Sequence, residues 1–116
     1  MAALRTAEIV AIGSELLTPH RIDTNSLWLS GVLNELGLAV RMKSVVGDDA
    51  AVLSEVIRSA LVRADVVITT GGLGPTDDDL TREVVAEVLG RALHEDADIL
   101  AIIAARFAGR GMPMPA

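Results

Sequence analysis

The sequence predicts an α/β fold in which helices cover both faces of a mostly parallel β-sheet. Strand-like and helix-like segments alternate in the order β-α-β-α-β-α-α, and this order predicts right-handed crossovers between parallel strands. Two of the three strand-like segments are apolar almost throughout, as expected of strands that are buried on both faces. The length of 116 residues fits one compact domain.

Three segments are predicted to be strands. Ala7–Gly13 and Asp65–Gly72 are short apolar runs that end in glycine. Leu38–Gly47 alternates between apolar and basic side chains, which indicates a strand with one wetter face or a place near the sheet edge. Three strands are few for such a sheet, so we expect the chain to end before the fold does.

Four segments are predicted to be helices because apolar residues recur in them at helical spacing. They are Asp23–Gly37, Asp48–Ala64, Leu80–Gly90 and Asp96–Gly111. Three of them end in glycine, the residue favoured just after a helix, and aspartates that can serve as N-caps stand at or before their starts.

Composition excludes several classes of protein. The net charge of −6 argues against a nucleic-acid partner, because phosphate backbones are bound by clustered Lys and Arg. The absence of cysteine excludes disulfides and thiolate metal sites. No apolar run approaches the roughly 18 residues of a membrane span, and the first residues do not form a signal peptide. We therefore expect a soluble cytoplasmic protein without a membrane partner.

Glycines and carboxylates stand together after each predicted strand, in Gly13–Glu15, Gly47–Asp49 and Thr69–Asp79. In open parallel sheets ligands bind beyond the carboxyl ends of the strands, so these segments are expected to converge on one site. Taken alone, the first two segments also have simpler explanations. A turn start accounts for Ser14, and a helix cap accounts for one aspartate of the second pair.

The third segment predicts a phosphate-binding loop. Gly71, Gly72 and Gly74 have no Cβ, so the backbone can turn sharply and approach a ligand closely. Their N–H groups, with those that open the next helix, can point at a phosphate. The loop lacks the Gly-Lys-Ser/Thr of a Walker A motif, and Asp77 replaces the third glycine of G-x-G-x-x-G.

Three consecutive aspartates, Asp77, Asp78 and Asp79, follow these glycines. One interpretation is a divalent cation such as Mg²⁺, which binds through one or two carboxylates and the substrate phosphates. The alternative is that Thr76 or Asp79 caps the following helix, or that the two form a capping box. Since one aspartate suffices for a cap, we expect at least one of the three to serve function.

Four stretches resemble the N-terminal domain of the competence/damage-inducible protein A (CinA) family. They are IGSELL (Ile12–Leu17), DTNSLWL (Asp23–Leu29), VGDD (Val46–Asp49) and TTGGLGPTDDDLTRE (Thr69–Glu83). That domain belongs to the molybdopterin-binding superfamily with MogA, MoaB and the gephyrin G domain. The resemblance implies a three-layer α/β/α sandwich, molybdopterin-binding-domain-like, as a single domain over residues 1–116.

The resemblance also implies roles for residues. The superfamily's catalytic aspartate, in D-x-T after TGG-x-G, matches Asp79; a second acid falls on Asp48, and Glu15 matches the acid of Gly-x-Glu-Leu. Metal binding is expected at Asp77, Asp78 and Asp79. Phosphate or nucleotide binding is expected at the residues around these acids, namely Gly13, Ser14, Asn25, Thr70, Gly71, Gly72, Gly74, Pro75 and Thr76.

The family's chemistry gives the expected function. CinA-type domains are associated with metal-dependent hydrolysis of the ADP-ribose pyrophosphate bond, which makes ADP-ribose or AMP the expected ligand. Molybdenum-cofactor members transfer AMP from ATP to molybdopterin, so molybdopterin binding and adenylyl transfer form the second hypothesis, and a non-catalytic nucleotide-binding module is the third. A homo-oligomer is expected because superfamily members associate and a three-stranded sheet leaves apolar edges.

Two departures from the family pattern limit this comparison. The residues TPHR (Thr18–Arg21) replace a glycine-containing turn that is common after Glu-Leu-Leu. The chain also stops short of the segment that follows the fourth helix in the family. We therefore expect a C-terminally truncated domain, in which the last part of the fold and any deamidase domain are absent.

Overall fold

The computed structural model of the chain describes residues 3–115, and its helices and strands follow the predicted order. The strands are β1 (Thr6–Ile12), β2 (Ala39–Val46) and β3 (Val66–Thr70). The α-helices are α1 (Thr24–Glu35), α2 (Ala50–Arg63), α3 (Thr81–Leu89) and α4 (Ala97–Gly109). A short 3-10 helix, Ser14–Leu17, lies between β1 and α1.

The strands form a parallel sheet in the order β2-β1-β3, with β1 in the middle. Ile12 at the end of β1 pairs with Val46 at the end of β2, and Ala11 pairs with Thr70 at the end of β3. The carboxyl ends of all three strands therefore lie at the same end of the sheet, which is called its carboxyl edge below. The predicted parallel pairing is confirmed.

Alternate residues of β1 face two separate apolar clusters, because successive side chains of a strand point to opposite faces. Val10 packs on one face with Leu53 of α2 and Val84 of α3. Ile9 packs on the other face with Leu33 of α1. Helices thus cover both faces of the sheet, and the three-layer α/β/α arrangement is confirmed.

One carboxylate, that of Glu8, is buried in the middle strand and is paired. Nε and Nη2 of Arg63, the last residue of α2, donate hydrogen bonds to it at 2.7 and 3.1 Å. A carboxylate is tolerated in an apolar interior only when such partners offset its lost hydration. This ion pair lies at the end of the sheet opposite the strand-ending loops, so it is separate from the predicted site.

Helix α4 forms as predicted, but none of its residues is buried. Ile99 and Ile102 are each 56% exposed. The radius of gyration is 16.6 Å, against about 13 Å for a compact domain of this size. In residues 3–115 no helix has the length and apolar character needed to cross a membrane.

Candidate functional site

The loops that follow β1 and β2 are hydrogen-bonded to each other at the carboxyl edge of the sheet. The backbone N–H of Gly13 donates to the carbonyl oxygen of Val46 at 2.8 Å. Further along the two loops, the backbone N–H of Asp48 donates to Oγ of Ser14 at 2.9 Å. The structure therefore brings the first and second predicted segments together.

The loop that follows β3 passes close to the end of β1, and only glycine fits there. Gly71 has a φ of 84°, and a Cβ on it would lie 2.1 Å from the carbonyl oxygen of Ile12. Gly72 has a φ of 67°, and a Cβ on it would lie 2.1 Å from Oγ1 of Thr81. Both glycines are required by close backbone approach and by a positive φ. The third segment thus lies beside the first.

Thr81 joins this glycine loop to the start of α3. Its side chain is buried, and its Oγ1 donates a hydrogen bond to the carbonyl oxygen of Gly71 at 2.8 Å. Its backbone N–H donates to the carbonyl oxygen of Gly72 at 3.2 Å. No role was predicted for Thr81, which is the threonine of the D-x-T motif. Its place two positions after Asp79 is the feature of the sequence that could have indicated one.

The carboxylate of Asp79 is held by its own loop. Oγ1 and the backbone N–H of Thr76 both donate to Oδ2 of Asp79, the latter at 3.1 Å, and the backbone N–H of Gly74 also contributes to lowering the pKa of Asp79. The Thr76 hydroxyl is the largest cause that holds the pKa of Asp79 below its ordinary value of 3.8, and the two backbone N–H groups add to it. Asp79 is therefore ionised at neutral pH.

The predicted capping of α3 by Thr76 or Asp79 is wrong. The helix begins at Thr81, its N-cap position is Leu80, and no side chain caps it. The backbone N–H of Asp79 instead donates to the carbonyl oxygen of Thr76 at 3.0 Å. The pair closes a turn that precedes the helix, since the spacing of three residues suits a turn as well as a capping box.

Replacing Thr76 by valine is expected to raise the pKa of Asp79 towards 3.8, because the variant loses the hydroxyl donor but keeps its size. A lowered carboxylate pKa stabilises the folded loop above the unfolded-state value, and this stabilisation is lost as the pH falls below about 3.8. The hydrogen bonds from Thr76 to Asp79 are thus expected to persist at neutral pH.

The measurement is a carboxyl-carbon NMR titration of Asp79 in both proteins. Thr18→Val is the control, because the Thr18 hydroxyl donates to the carbonyl oxygen of Glu15 and does not contact Asp79. An Asp79 pKa that is the same in Thr76→Val and in the wild type would show that the hydroxyl does not hold the carboxylate.

Asp49, and not Asp48, caps α2. Its Oδ1 accepts hydrogen bonds from the backbone N–H groups of Ala51 at 3.0 Å and Val52 at 3.1 Å. This decides between the two aspartates, which the sequence left open. Asp48 is exposed, and its carboxylate is not used by the helix cap.

The carboxylate of Glu15 lies over Gly13. A Cβ on Gly13 would be 2.5 Å from Oε1 of Glu15, so glycine leaves the space that this carboxylate occupies. Asn25 is exposed in the first turn of α1, whose cap is Asp23. Thr70 ends β3 and is half-buried, while Pro75 is exposed in the loop.

Metal binding was predicted at Asp77, Asp78 and Asp79. Asp77 and Asp78 are exposed at the centre of the Thr76–Asp79 turn, and Asp79 is half-buried. In residues 3–115 no three His, Asp or Glu side chains are grouped to hold a metal by themselves. Mg²⁺ is commonly held by one or two carboxylates and completed by substrate phosphates and water. Exposed aspartates beside the predicted phosphate-binding loop fit an arrangement completed by substrate phosphates.

Comparison with known proteins identifies the family. Residues 8–114 match the family described as a probable molybdopterin binding domain. The chain is 56% identical over 109 residues to a CinA-like protein of Koribacter versatilis, and this match covers 94% of the chain but only 26% of the relative. The chain thus spans about a quarter of that relative's length.

Two solved structures share the fold. CinA from Thermoplasma acidophilum superposes with a TM-score of 0.85 at 34% identity, over 96% of this chain and 64% of that one. The molybdopterin biosynthesis enzyme MoaB from Thermus thermophilus superposes with a TM-score of 0.70 at 26% identity, over 78% of this chain and 58% of that one. The chain belongs to the molybdopterin-binding domain family and, within it, to the CinA-like proteins.

Proposed function

We propose that the chain binds the pyrophosphate of a nucleotide sugar such as ADP-ribose and hydrolyses the pyrophosphate bond. The products from ADP-ribose are AMP and ribose 5-phosphate. The observation that carries this proposal is the convergence of a glycine loop and exposed carboxylates at one edge of the sheet. A ligand at that edge would meet Asp48 from the second loop and Gly71–Gly74 from the third. The choice of reaction follows what the resemblance to the CinA family implies.

The glycine loop and the start of α3 supply donors for phosphate oxygens. Helix α3 has no side-chain cap, so N–H groups of its first turn are not used by a capping side chain. Such N–H groups, with the helix dipole, favour an anion. In the proposed reaction they hold the pyrophosphate and stabilise the charge that develops during in-line attack.

The carboxylates divide into three roles. Asp79 shapes the loop, because its carboxylate already accepts two hydrogen bonds from Thr76. Asp77 and Asp78 would share a divalent metal with the substrate phosphates; when bound, the metal offsets the repulsion between acids and pyrophosphate. Asp48 accepts a proton from the attacking water, and Glu15, whose carboxylate lies over Gly13, is the second candidate for this role.

The balance of the reaction is simple. One water adds across the pyrophosphate: its oxygen forms a bond to one phosphorus, the bridging P–O bond breaks, and the bridging oxygen leaves with the other phosphate. Asp48 takes the proton of the water as the new bond forms. AMP and ribose 5-phosphate are expected in equal amounts, and the cytoplasm, where nucleotide sugars are available, is the proposed location.

The second candidate is molybdopterin binding with adenylyl transfer. It is favoured by the family match and by the likeness to MoaB, a molybdopterin biosynthesis enzyme. Both candidates place a phosphoanhydride next to adenosine in the same loops. The third candidate is a nucleotide-binding module that binds without turnover, and the experiment must distinguish it from both enzymes.

To test these candidates, the chain is incubated in two mixtures. The first contains ADP-ribose and Mg²⁺, and the second contains ATP, molybdopterin and Mg²⁺. The products of each are separated by chromatography. AMP with ribose 5-phosphate from the first mixture supports the hydrolase. Adenylylated molybdopterin from the second mixture alone favours the transferase. Calorimetric binding of AMP with no product in either mixture favours the non-catalytic module and contradicts the hydrolase.

Self-association is proposed as well. The outer edge of β3 is not paired in residues 3–115, and helix α4 exposes Ile99, Ile102 and Ile103. Exposed apolar surface of this kind often marks protein–protein contact. We propose that these surfaces contribute to a homo-oligomer.

A further inference from the structure

We propose that Ser14 is a positioning residue, which fixes Asp48 for catalysis through a hydrogen bond between the first and second loops. This inference rests on the proposed function, in which Asp48 accepts the proton of the attacking water. Ser14 was expected to contact phosphate. The geometry points to a role that acts through Asp48.

The bond joins residues that are 34 positions apart in the sequence. The backbone N–H of Asp48 donates to Oγ of Ser14 at 2.9 Å. The hydroxyl accepts through a lone pair, so the bond to Asp48 does not use its own proton. The same two loops are joined by the bond from the N–H of Gly13 to the carbonyl oxygen of Val46.

Gly47 makes room for this hydroxyl. A Cβ on Gly47 would lie 3.1 Å from Oγ of Ser14 and 3.1 Å from Cδ1 of Leu17, closer than ordinary van der Waals contact. The absence of a side chain at Gly47 therefore lets the first loop lie against the second. Ser14 of the first loop and Gly47 of the second loop therefore belong to the same contact.

Asp48 is consequently held on both sides. Before it, Val46 is buried and bonded to Gly13; after it, Asp49 is fixed as the cap of α2. Between these anchors, the Ser14 bond fixes the backbone N–H of Asp48 itself. The Asp48 backbone is thus restrained while its side chain is exposed. A catalytic carboxylate held in this way is pre-organised, and a misplacement of about 1 Å can cost about 100-fold in rate.

The test measures steady-state kinetics with ADP-ribose and Mg²⁺ for the wild type and the variants. Ser14→Ala is expected to lower kcat by about 10- to 100-fold and to change KM less than twofold, because substrate contacts remain. Ser14→Thr keeps the hydroxyl and is expected to restore most of kcat. Ser30→Ala is the matched control, since the Ser30 hydroxyl donates to the Ser26 carbonyl within α1.

Gly47→Ala provides a second route to the same contact. The new methyl group presses on Ser14, so kcat is expected to fall as in Ser14→Ala, and the double variant is expected to be no worse than either single one. Multiplicative losses in the double variant would contradict a shared contact. A purely structural role would lower the unfolding free energy without this kinetic pattern.

Amide hydrogen exchange at Asp48 separates this inference from the proposed function. Ser14→Ala is expected to speed exchange at that amide, and unchanged exchange would overturn the bond itself. An active wild type with the same kcat in Ser14→Ala would overturn the positioning role and leave the hydrolase intact. A wild type without hydrolase activity would overturn the proposed function, and the kinetic role of Ser14 with it.

Discussion

Replacing Gly71 by alanine is expected to lower the free energy of unfolding by about 2 to 5 kcal/mol, the sum of a positive-φ penalty and an overpacking penalty. The Cβ would lie 2.1 Å from the carbonyl oxygen of Ile12, and a backbone atom of the central strand cannot move aside. The φ of 84° adds strain for any residue with a Cβ. Urea denaturation of both proteins measures the difference.

Gly90→Ala is the matched control for this prediction. Gly90 follows α3 with a φ of 64°, and nothing lies within 4 Å of a Cβ placed there. The variant therefore carries only the conformational penalty of about 1 to 2 kcal/mol. Equal losses for Gly71→Ala and Gly90→Ala would show that the contact with β1 does not constrain the loop.

Replacing Asp48 by asparagine is expected to lower kcat for ADP-ribose by about 100- to 10,000-fold, the usual range for loss of a general base. The side chain keeps its size and its backbone bond to Ser14, but it can no longer accept the proton of the attacking water. Steady-state kinetics at saturating Mg²⁺ measures the change.

The neighbouring aspartate is the control. Asn is as good an N-cap as Asp, so Asp49→Asn should keep the cap of α2 and leave kcat near the wild-type value. An Asp48→Asn variant with wild-type kcat, beside an inactive Asp79→Asn variant, would move the role of base to Asp79. That result would agree with the superfamily match and contradict the division of roles proposed here.

The order of elements was predictable because its signals are local. Ala7–Gly13 and Asp65–Gly72 are apolar runs of strand length, and the two strands they predict form as expected. Gly90 ends α3 with a left-handed conformation, as a glycine in that position indicates. Periodicity and end signals depend only on neighbours within about one turn of helix.

The residue at which a helix starts was less predictable where two nearby residues could both act as its N-cap. Asp48 and Asp49 can both accept backbone N–H groups, and only the path of the chain selects Asp49 as the cap. Thr76 and Asp79 have the spacing of a capping box, yet they close a turn before α3. Spacing alone does not distinguish these arrangements.

Contacts between distant parts of the chain could not be predicted from local patterns. The bond between Ser14 and Asp48 depends on the register of β1 with β2, and the burial of Glu8 depends on Arg63, which is 55 residues away. The requirement for glycine at 47 follows from the position of Ser14. The helical pattern of α4 likewise predicts a helix but does not tell what packs against it.

The proposed hydrolysis is tested most directly by incubating the chain with ADP-ribose and Mg²⁺ in ¹⁸O-labelled water and analysing the products by mass spectrometry. We predict equal amounts of AMP and ribose 5-phosphate, with one ¹⁸O per turnover in one of the two phosphates and almost none of either product from Asp48→Asn. An intact ADP-ribose pool after prolonged incubation, or AMP formed at the same rate by Asp48→Asn, would contradict hydrolysis at this site.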